Sequence, residues 1–383
     1  MKASFQMLPL VEWLRPREAA MTRLLGQFVR AESPSFDKAA VDRFGRIVAA
    51  EWRRRGASVT LVRQRERGDH VRAEWNPLGK KTKGQILILG HLDTVYGLGT
   101  LEGMPFRLLR GHAHGPGTFD MKGGLVIALF AVDALSAAGR WPQKRIVFLW
   151  TSDEEIGSGT SRAMIEREAR RSDAVLVLEP ASGLDGRVKT GRKGVGEIEI
   201  VAKGRAAHAG LNPEHGINAI EEIALQISRI SRWNQPSRGT TVNAGVIEGG
   251  TRTNVIPEKA RVVVDVRAVH AGDMRALERK FRALRPILQG AKLQIRGGFN
   301  RPPMERKSSA ALYAKARALA KEMGVTLGEA YVGGGSDGNF TAALGVPTLD
   351  GLGAVGEGAH SPDECIVIRA LSERAALVAG LLL

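Results

Sequence analysis

Ile86–Asp93 reads ILILGHLD, four aliphatic residues and a glycine followed by a segment that contains two potential metal ligands. A short aliphatic run that ends at a glycine is typical of a strand buried on both faces. Such strands belong to parallel sheets that helices cover on each side. We therefore expect a layered α/β domain, with His91 and Asp93 at the carboxyl end of a central strand.

The same pattern recurs along the chain. Ile146–Trp150 and Ala174–Leu178 are two more buried-strand runs, and the Ala-rich segment Leu125–Ala138 predicts a helix. Buried strands that alternate with helices indicate β-α-β units and a mostly parallel sheet. Two amphipathic helices, Leu8–Ala31 and Ala39–Gly56, are predicted before this region.

The pattern changes near Arg192. Hydrophobic and polar residues alternate in Val195–Val201, which predicts a half-exposed strand. A helix, two strands, a helix and a strand follow, predicted at Ile217–Ile230, Thr240–Val246, Arg261–Val269, Ala271–Leu284 and Lys292–Arg296. This β-α-β-β-α-β order is ferredoxin-like, and its span of about 100 residues is the size of an independent domain.

The first pattern returns after Pro302 and Pro303. The predicted elements are helices at Ser308–Met323, Asn339–Leu344 and Ala370–Leu382 and a strand at Thr348–Leu349. We therefore predict an α/β domain made of residues 1–192 and 303–383, interrupted by a ferredoxin-like domain at 193–302.

Imidazole and carboxylate groups follow the predicted strands where each strand ends. They are His91 and Asp93, the acidic run Asp153–Glu155, Glu179 and, from two loops, Asp120 and His360. Ligands of open α/β sheets bind beyond the carboxyl ends of the strands. We therefore expect these side chains to meet at one edge of one sheet.

This set of residue types suits a metal site. Two histidines with several carboxylates and no cysteine favour a borderline divalent cation such as Zn²⁺. The HxD spacing allows Asp93 to hold the second imidazole nitrogen of His91. Of the adjacent acids Glu154 and Glu155, one can bind metal while the other acts as a base. Taken singly, each element has an ordinary alternative, such as a hydrogen-bonded histidine or carboxylates at a helix N-terminus.

Two further motifs leave alternatives open. The Gly-rich segment 333–339, GGGSDGN, precedes a helix, so its backbone N–H groups could bind an anion. Equally, it is a flexible loop in which Ser336 or Asp337 caps the helix. His112 and His114 have metal-ligand spacing but lie between glycines, and we expect them to be exposed in a loop.

Composition limits the classes of function. The chain has 383 residues, with 56 Lys+Arg, 40 Asp+Glu and a net charge of +16. Much of this charge is in the N-terminal third, at Arg53–Arg55, Arg63, Arg65, Arg67, Arg72, Lys80, Lys81 and Lys83. We expect these residues on solvated faces, because a nucleic-acid groove interleaves cations with aromatic residues, which make up only 5% of the chain. The sequence therefore predicts no nucleic-acid partner.

The single cysteine, Cys365, cannot form an internal disulfide. No apolar run approaches the roughly 20 residues needed to span a bilayer, and Glu12, Arg15 and Arg17 interrupt any signal-peptide core. We expect a cytoplasmic protein without a membrane partner, although a periplasmic protein is also compatible with these features.

Together, the motifs resemble those of the co-catalytic zinc peptidase and aminoacylase family, most closely its glutamate carboxypeptidase branch, the folate-cleaving carboxypeptidase G type. The resemblance runs from about His91 to His360. The segments that carry it are GHLDTVYGLG (90–99), MPFRLL (104–109), GPGTFDMKGG (115–124), TSDEEIGSGTSR (151–162), LEP (178–180), GRAAHAG (204–210), NVIP (254–257), DVR (265–267), GGGSD (333–337) and HSPDE (360–364).

The resemblance implies two Zn²⁺ per subunit, for which Co²⁺ or Mn²⁺ can substitute. His91, Asp120 and Glu179 would hold one ion. Asp120 would bridge to the other ion, which Glu155 and His360 would complete. Asp93 would orient His91, and Glu154 would be the general base and acid. The peptide bond after Asp120 is expected to be cis.

The resemblance also assigns roles to the inserted domain. It would act as a lid and as the surface of a homodimer, with His208 reaching the active site of the other subunit. Arg301 would bind a substrate carboxylate, and Asn254 and Gly334 would contact substrate. Arg252 stands where small residues are common, and it is either a further carboxylate contact or an exposed loop residue.

The predicted function is a di-zinc hydrolase that cleaves a C-terminal amino acid, with glutamate preferred, from a peptide or N-acyl, folate-like substrate. The alternatives within the fold are an aminoacylase, a dipeptidase or another N-acyl-amino-acid amidohydrolase. A binding protein that has lost its zinc and, most distantly, a non-catalytic basic nucleic-acid-binding protein are the other classes.

Overall fold

A computed structural model describes residues 7–79 and 82–383 of the chain. The α-helices of these residues are α1 (Leu8–Leu14), α2 (Glu18–Arg30), α3 (Lys38–Arg54), α4 (Thr100–Gly103), α5 (Gly123–Ala137), α6 (Arg162–Ala169), α7 (Ala219–Ser231), α8 (Ala271–Arg282), α9 (Ala310–Glu322), α10 (Gly338–Ala343) and α11 (Ala370–Leu382). The strands are β1 (Ser58–Val62), β2 (His70–Trp75), β3 (Gln85–His91), β4 (Arg107–Leu109), β5 (His112–His114), β6 (Arg145–Thr151), β7 (Ala174–Val177), β8 (Val188–Arg192), β9 (Gly194–Lys203), β10 (Ala207–His208), β11 (Thr241–Gly249), β12 (Val255–Ile256), β13 (Lys259–Ala268), β14 (Lys292–Arg301), β15 (Glu329–Val332), β16 (Thr348–Leu349), β17 (Gly356–Glu357) and β18 (Cys365–Val367).

The chain forms two compact units. The first contains the chain up to Gly191 together with Arg306–Tyr331 and Ser336–Leu383, and the second contains Arg192–Glu305 and Val332–Gly335. The α/β fold with an inserted ferredoxin-like unit is therefore confirmed. The second unit includes Val332–Gly335, part of the Gly-rich segment, which the sequence prediction had placed in the α/β domain.

A six-stranded sheet with the order β1-β2-β6-β3-β7-β16 forms the centre of the first unit. The four strands β6, β3, β7 and β16 run parallel, whereas β2 is antiparallel to both of its neighbours. All seven residues of β3 are buried, as its aliphatic run predicts. The parallel strands bring their carboxyl ends, and the polar residues that follow them, to one edge of the sheet.

The sequence prediction differs from the structure at two places before β3. The hairpin of β1 and β2 was missed, because β1 has no fully buried residue and its short alternating pattern is a weak signal. The predicted single helix Leu8–Ala31 is wrong at its middle, where Arg15–Arg17 form one 3₁₀ turn between α1 and α2. Pro16 has no backbone N–H to continue the helical hydrogen bonds.

The hydrophobic core of the first unit fixes the positions of the strands whose ends carry the site residues. Helix α5 is almost entirely buried, which explains its aliphatic and Ala-rich sequence. Trp52 of α3 stacks on Phe148 of β6 with a ring-centroid distance of 3.9 Å. Both rings are fully buried, so this contact fixes α3 on the strand that precedes the acidic run.

The second unit is a four-stranded antiparallel sheet with the order β11-β13-β9-β14. Helices α7 and α8 complete the β-α-β-β-α-β order that the sequence predicts. Ile223 of α7 and Phe281 of α8 join Val264 of β13 in a separate hydrophobic core. Strands β10 and β12 form an additional ribbon, in which His208 is opposite Val255.

The basic N-terminal third is largely solvated. Arg53, Arg54, Arg63 and Arg65 are exposed. Arg55 is an exception, because it forms ion pairs with Glu51 and Asp133 at 2.8 and 2.7 Å. Lys80 and Lys81, and the first six residues of the N-terminal segment, lie outside the described residues. Across residues 7–79 and 82–383, the structure contains no helix with the length and apolar character that crossing a membrane requires.

Candidate active site

Three predicted ligands meet at the end of β3. His91 is the last residue of β3, and its Nε2 atom lies 3.1 Å from Asp120 Oδ1 and 3.4 Å from Glu179 Oε1. One ligand atom from each residue lies within 4.8 Å of the others. The three side chains are therefore close enough to hold one metal ion.

A second group shares the same aspartate. His360 Nε2 lies 3.2 Å from Glu155 Oε2 and 3.5 Å from Asp120 Oδ2. Asp120 thus offers Oδ1 to the first group and Oδ2 to the second. This is the arrangement required of a carboxylate that bridges two cations.

The imidazole of His91 is held in one orientation by its own strand end. Its Nδ1 atom lies 2.9 Å from the backbone carbonyl of Asp93, whereas the Asp93 carboxylate is 3.6 Å away. The sequence prediction assigned this contact to the carboxylate, but the backbone oxygen makes the closer one. A ring that donates from Nδ1 leaves the Nε2 lone pair free for a cation.

The Asp93 carboxylate instead organises the acidic run. It accepts the backbone N–H groups of Glu154 and Glu155, each at 3.3 Å, and the hydroxyl of Ser35 at 2.8 Å. Burial raises the pKa of Asp93 to about 6. The residue is completely buried, so these donors place the loop that carries both glutamates.

The electrostatics of the site favour cations. Burial opposes the ionisation of Asp120, but hydrogen bonds from His360 and His91 hold its pKa well below the usual value. The hydrogen bonds of His360 to Asp120 and then Glu155 raise the pKa of His360 to about 10. Glu155 Oε1 is buried and has no hydrogen-bond partner within residues 7–79 and 82–383. Three clustered carboxylates, one of which has an unpartnered buried oxygen, and two imidazoles fit a pair of divalent cations.

Asp120 is presented by a tight turn. Its peptide bond to Met121 is cis, as predicted. Gly117 begins the turn with a φ of +71°, and a Cβ atom there would come within 2.8 Å of Thr94 Cγ2. Lys122 closes the turn by donating to the carbonyls of Phe28 and Ala31 at 3.0 and 2.8 Å. Only glycine meets both the steric and the conformational requirement at position 117.

The loop after β6 is held from a second side by Asp337. The hydroxyl of Thr151 donates to Asp337 at 3.1 Å, and Ser158 donates to the same carboxylate. Asp337 therefore faces this loop and does not cap α10. Ser336 accepts the N–H of Gly338 at 3.1 Å, so of the two predicted capping residues it is Ser336 that binds a backbone N–H at the start of α10.

The predicted substrate contacts lie in the second unit. The carbonyl of Gly334 accepts a hydrogen bond from Arg192 at 3.2 Å. Asn254 is exposed, and its carbonyl accepts the N–H of Ala209 at 3.0 Å. Arg301 ends β14 and packs against Gly335, where a Cβ atom would come within 2.8 Å of the arginine Cδ. Arg252 is an exposed loop residue.

His208 has a defined tautomer in its neutral form. It is exposed on β10, and its Nδ1 atom accepts the N–H groups of Gly210 and Leu211, both at 3.1 Å. The proton of the neutral ring is therefore on Nε2, which makes this atom a hydrogen-bond donor.

Two other histidines, His112 and His114, lie in a different element from the one that the sequence predicts. His112 and His114 form the half-buried strand β5, so the prediction that they are exposed in a loop is wrong. Strand β5 lies between β4 and β18, and this pairing orders the segment. Neither histidine belongs to the two ligand groups found within the described residues.

Comparison with known proteins decides the family. The profile of Peptidase family M20/M25/M40 matches residues 87–383. The chain belongs to this family. It is 32% identical to carboxypeptidase G2 of Pseudomonas sp. (strain RS-16) over 375 residues, which cover 96% of this chain and 89% of that protein. It is 30% identical over 311 residues to succinyl-diaminopimelate desuccinylase of Dechloromonas aromatica, covering 76% and 81% of the two chains.

Solved M20 structures share the fold. Aminopeptidase PepT from Bacillus cereus superposes with a TM-score of 0.79 at 21% identity, covering 95% of this chain and 98% of that chain. The metallo-carboxypeptidase Sso-CP2 from Sulfolobus solfataricus gives 0.73 at 19% identity, covering 94% and 98%. Family membership and the clustered ligands identify this M20 protein as a metal-dependent peptidase or amidohydrolase.

The sequence interpretation missed several residues that support the M20 site. Ser35, which binds Asp93, lies in a polar loop with no motif to mark it. Tyr96 and Glu364 lie inside the motif segments 90–99 and 360–364, but the sequence pattern there indicates no role for either residue. Only their contacts in the folded chain show what they do.

Proposed function

We propose that this M20 enzyme is a carboxypeptidase that uses two zinc ions per chain to remove a C-terminal amino acid, preferably glutamate, from a peptide or N-acyl, folate-like substrate. The observation that carries the proposal is that Asp120 offers one oxygen to each of two ligand groups. The similarity to carboxypeptidase G2 over 96% of the chain supports the assignment as a carboxypeptidase.

Each residue of the site has a separate role in the proposed hydrolysis. A bound metal pair supplies Lewis acidity that polarises a carbonyl and acidifies water. Glu154 takes the proton of the attacking water and returns it to the leaving amine. Asp93 holds Glu154 in place through its backbone N–H. His91 and Asp93 are 1% and 0% exposed, so solvent cannot compete for their hydrogen bonds.

Two residues of the inserted unit complete the proposed reaction. The Nε2–H of neutral His208 donates to the oxyanion that develops on the scissile carbonyl. Arg301 binds the C-terminal carboxylate of the substrate with two parallel hydrogen bonds, a geometry that lysine cannot reproduce. Asn254 and Gly334 are proposed as further substrate contacts.

We also propose that the enzyme is a homodimer formed through the inserted unit. Strand β11 is at an edge of its sheet, and Val246 and Ile247 on it are 48% and 57% exposed. Ile220 and Leu225 on α7 are also exposed apolar residues. An exposed apolar edge strand favours pairing with another chain. In such a dimer His208 acts in the active site of the other subunit.

A desuccinylase or related N-acyl amidohydrolase is the second candidate. Two succinyl-diaminopimelate desuccinylases are 30% and 32% identical to the chain over 76% and 72% of its length. Both candidates use the same metal site and the same base, and they differ in the acyl group and amino acid that the substrate carries.

A single purified sample tests both candidates. The sample is analysed for metal content and then assayed on a glutamate-terminated folate, N-acetyl amino acids, an N-succinyl diamino acid and dipeptides. The proposal predicts two zinc ions per chain and the highest kcat/KM on the glutamate-terminated substrate. A highest kcat/KM on the succinyl substrate supports the second candidate, and a protein that retains no divalent ion contradicts both.

A further inference from the structure

The carboxylate of Glu364 lies behind the metal site and is fully buried. Its Oε1 accepts the backbone N–H groups of Phe119 and Asp120 at 2.7 and 2.9 Å. Its Oε2 accepts the N–H of Gly117 at 3.0 Å and the hydroxyl of Tyr96 at 2.6 Å. A carboxylate has about four lone-pair positions, so these four donors use all of its capacity.

The four hydrogen bonds join three segments that carry site residues. Tyr96 follows the segment His91–Asp93, which begins at the last residue of β3. Gly117–Asp120 form the turn that presents Asp120, and Glu364 itself lies four residues after His360. The hydroxyl oxygen of Tyr96 also lies 3.0 Å from the carbonyl oxygen of Ser361, but its one proton goes to the closer acceptor, Glu364 Oε2. The backbone carbonyl of Glu364 accepts the N–H of Gly115 at 3.2 Å, which holds the start of the turn as well.

We infer that Glu364 is a positioning residue that sets the separation of Asp120 and His360, and thereby the affinity of the ion these two residues share with Glu155. The inference rests on the proposed metal function. Glu364 connects directly to the backbone of Asp120 and to the segment of His360. In the other group, Glu364 contacts the backbone N–H of Asp120, whereas Glu179 belongs to a different segment, after β7. The loss of Glu364 is therefore expected to lower the binding affinity of the two ions unequally.

Glutamine at position 364 has the shape of glutamate but cannot make the same contacts. Its one oxygen satisfies either the pair of donors at Oε1 or the pair at Oε2. Its NH₂ group then faces the other two donors, in either orientation of the amide. Glu364→Gln therefore disturbs the positioning without creating a cavity.

The test is a Co²⁺ titration of the metal-free full-length chain, followed by visible absorption and by equilibrium dialysis. The His360→Ala variant identifies which of the two binding steps belongs to the His360 group. For Glu364→Gln we expect affinity at that step to fall about 10- to 100-fold, with a smaller loss at the other step. The matched control is Asp363→Asn, an exposed neighbouring carboxylate, which is expected to leave both steps unchanged.

Unchanged affinities in Glu364→Gln, or equal losses at both steps, overturn the inference. A lower melting temperature of the metal-free variant with unchanged affinities shows a purely structural role and also overturns it. If Glu364→Gln does not fold, Tyr96→Phe decides, because it removes one of the four donors. We expect it to weaken the His360 step about 2- to 10-fold, and no change contradicts the inference. A wild-type chain that binds no Co²⁺ overturns the metal function and this inference together. If the wild-type chain binds two Co²⁺ ions, the metal function stands even where the variants contradict the inference.

Discussion

Glu155 Oε2 lies 3.2 Å from His360 Nε2, although the two residues belong to the loop after β6 and the segment before β18. A cation between them would replace this contact. His360→Ala is expected to lower bound zinc from about two ions to about one per chain. The reason is that His91, Asp120 and Glu179 still provide three ligands for one ion. Metal analysis after dialysis measures this. His112→Ala, a half-buried histidine outside both groups, should retain both ions, and full retention in His360→Ala would refute its role as a ligand.

Glu154→Gln separates catalysis from metal binding. Asp93 holds the loop through the Glu154 backbone, and that hydrogen bond does not depend on the side chain. We expect normal zinc content and a fall in kcat of at least about 10²- to 10⁴-fold, the usual contribution of a general base. Steady-state kinetics on the best substrate check this, with exposed Glu102→Gln as the control. Substantial turnover in Glu154→Gln would exclude it as the base.

The shared active site is tested by mixing two inactive variants. His208→Ala is expected to lower kcat about 10²- to 10³-fold, as the loss of an oxyanion donor does, while metal content stays unchanged. Glu154→Gln and His208→Ala homodimers that exchange subunits should regain partial activity, because a mixed dimer has one site with both groups intact. Light scattering and mass spectrometry establish the dimer and the exchange. No recovery after proven exchange argues against action across the interface.

Arg301→Lys keeps the charge but loses the planar pair of donors. We expect KM for substrates with a free C-terminal carboxylate to rise about 10- to 100-fold, with kcat less affected, because hydrogen bonds to charged groups are worth about 1.5–3 kcal/mol. The control is Arg296→Lys, an exposed arginine on the same strand that pairs with Glu199 at 3.5 Å. A KM that rises equally for a substrate with an amidated C-terminus would show that Arg301 does not bind the carboxylate.

His70 makes the stability of the fold sensitive to acid. Burial lowers its pKa, which nearby Asp153, Asp337 and Asp69 only partly oppose. Since the unfolded histidine has a pKa of about 6.5, the unfolded chain binds a proton below that pH before the folded chain does. The free energy of unfolding is therefore expected to fall as the pH decreases from about 6.5 through the lower pKa of the folded protein, and this term is constant above that range.

Denaturant unfolding of the metal-free protein between pH 8 and pH 5 measures this loss. His70→Gln cannot take up the proton and keeps groups that can bond the hydroxyls of Ser152 and Thr160, which lie 2.9 and 3.3 Å from the ring. The difference in stability between wild type and His70→Gln should shrink as the pH falls. Exposed His215→Gln should follow the wild-type curve, and parallel curves for wild type and His70→Gln would disprove the effect.

Much of the fold could be predicted because burial leaves a local trace. The aliphatic runs of β3 and β6 and the aliphatic helix α5 are continuous because both faces of each element are covered. The alternation in β9 reflects a sheet that helices cover on one face. In contrast, the hairpin of β1 and β2 has no such trace, because β1 has no fully buried residue and β2 carries the polar residues His70, Arg72 and Glu74.

The sequence alone determined which residue types are available as ligands and at which strand ends they lie. Chemistry restricts metal ligands to a few side chains, and parallel strands bring their ends to one edge. Only the tertiary structure decided which oxygen or nitrogen holds which partner. The carbonyl of Asp93, and not its carboxylate, makes the closer contact with His91. The hydrogen bonds of Glu364 to the Asp120 turn depend on a chain reversal that brings distant segments together, and such long-range contacts leave no periodic signal in the sequence.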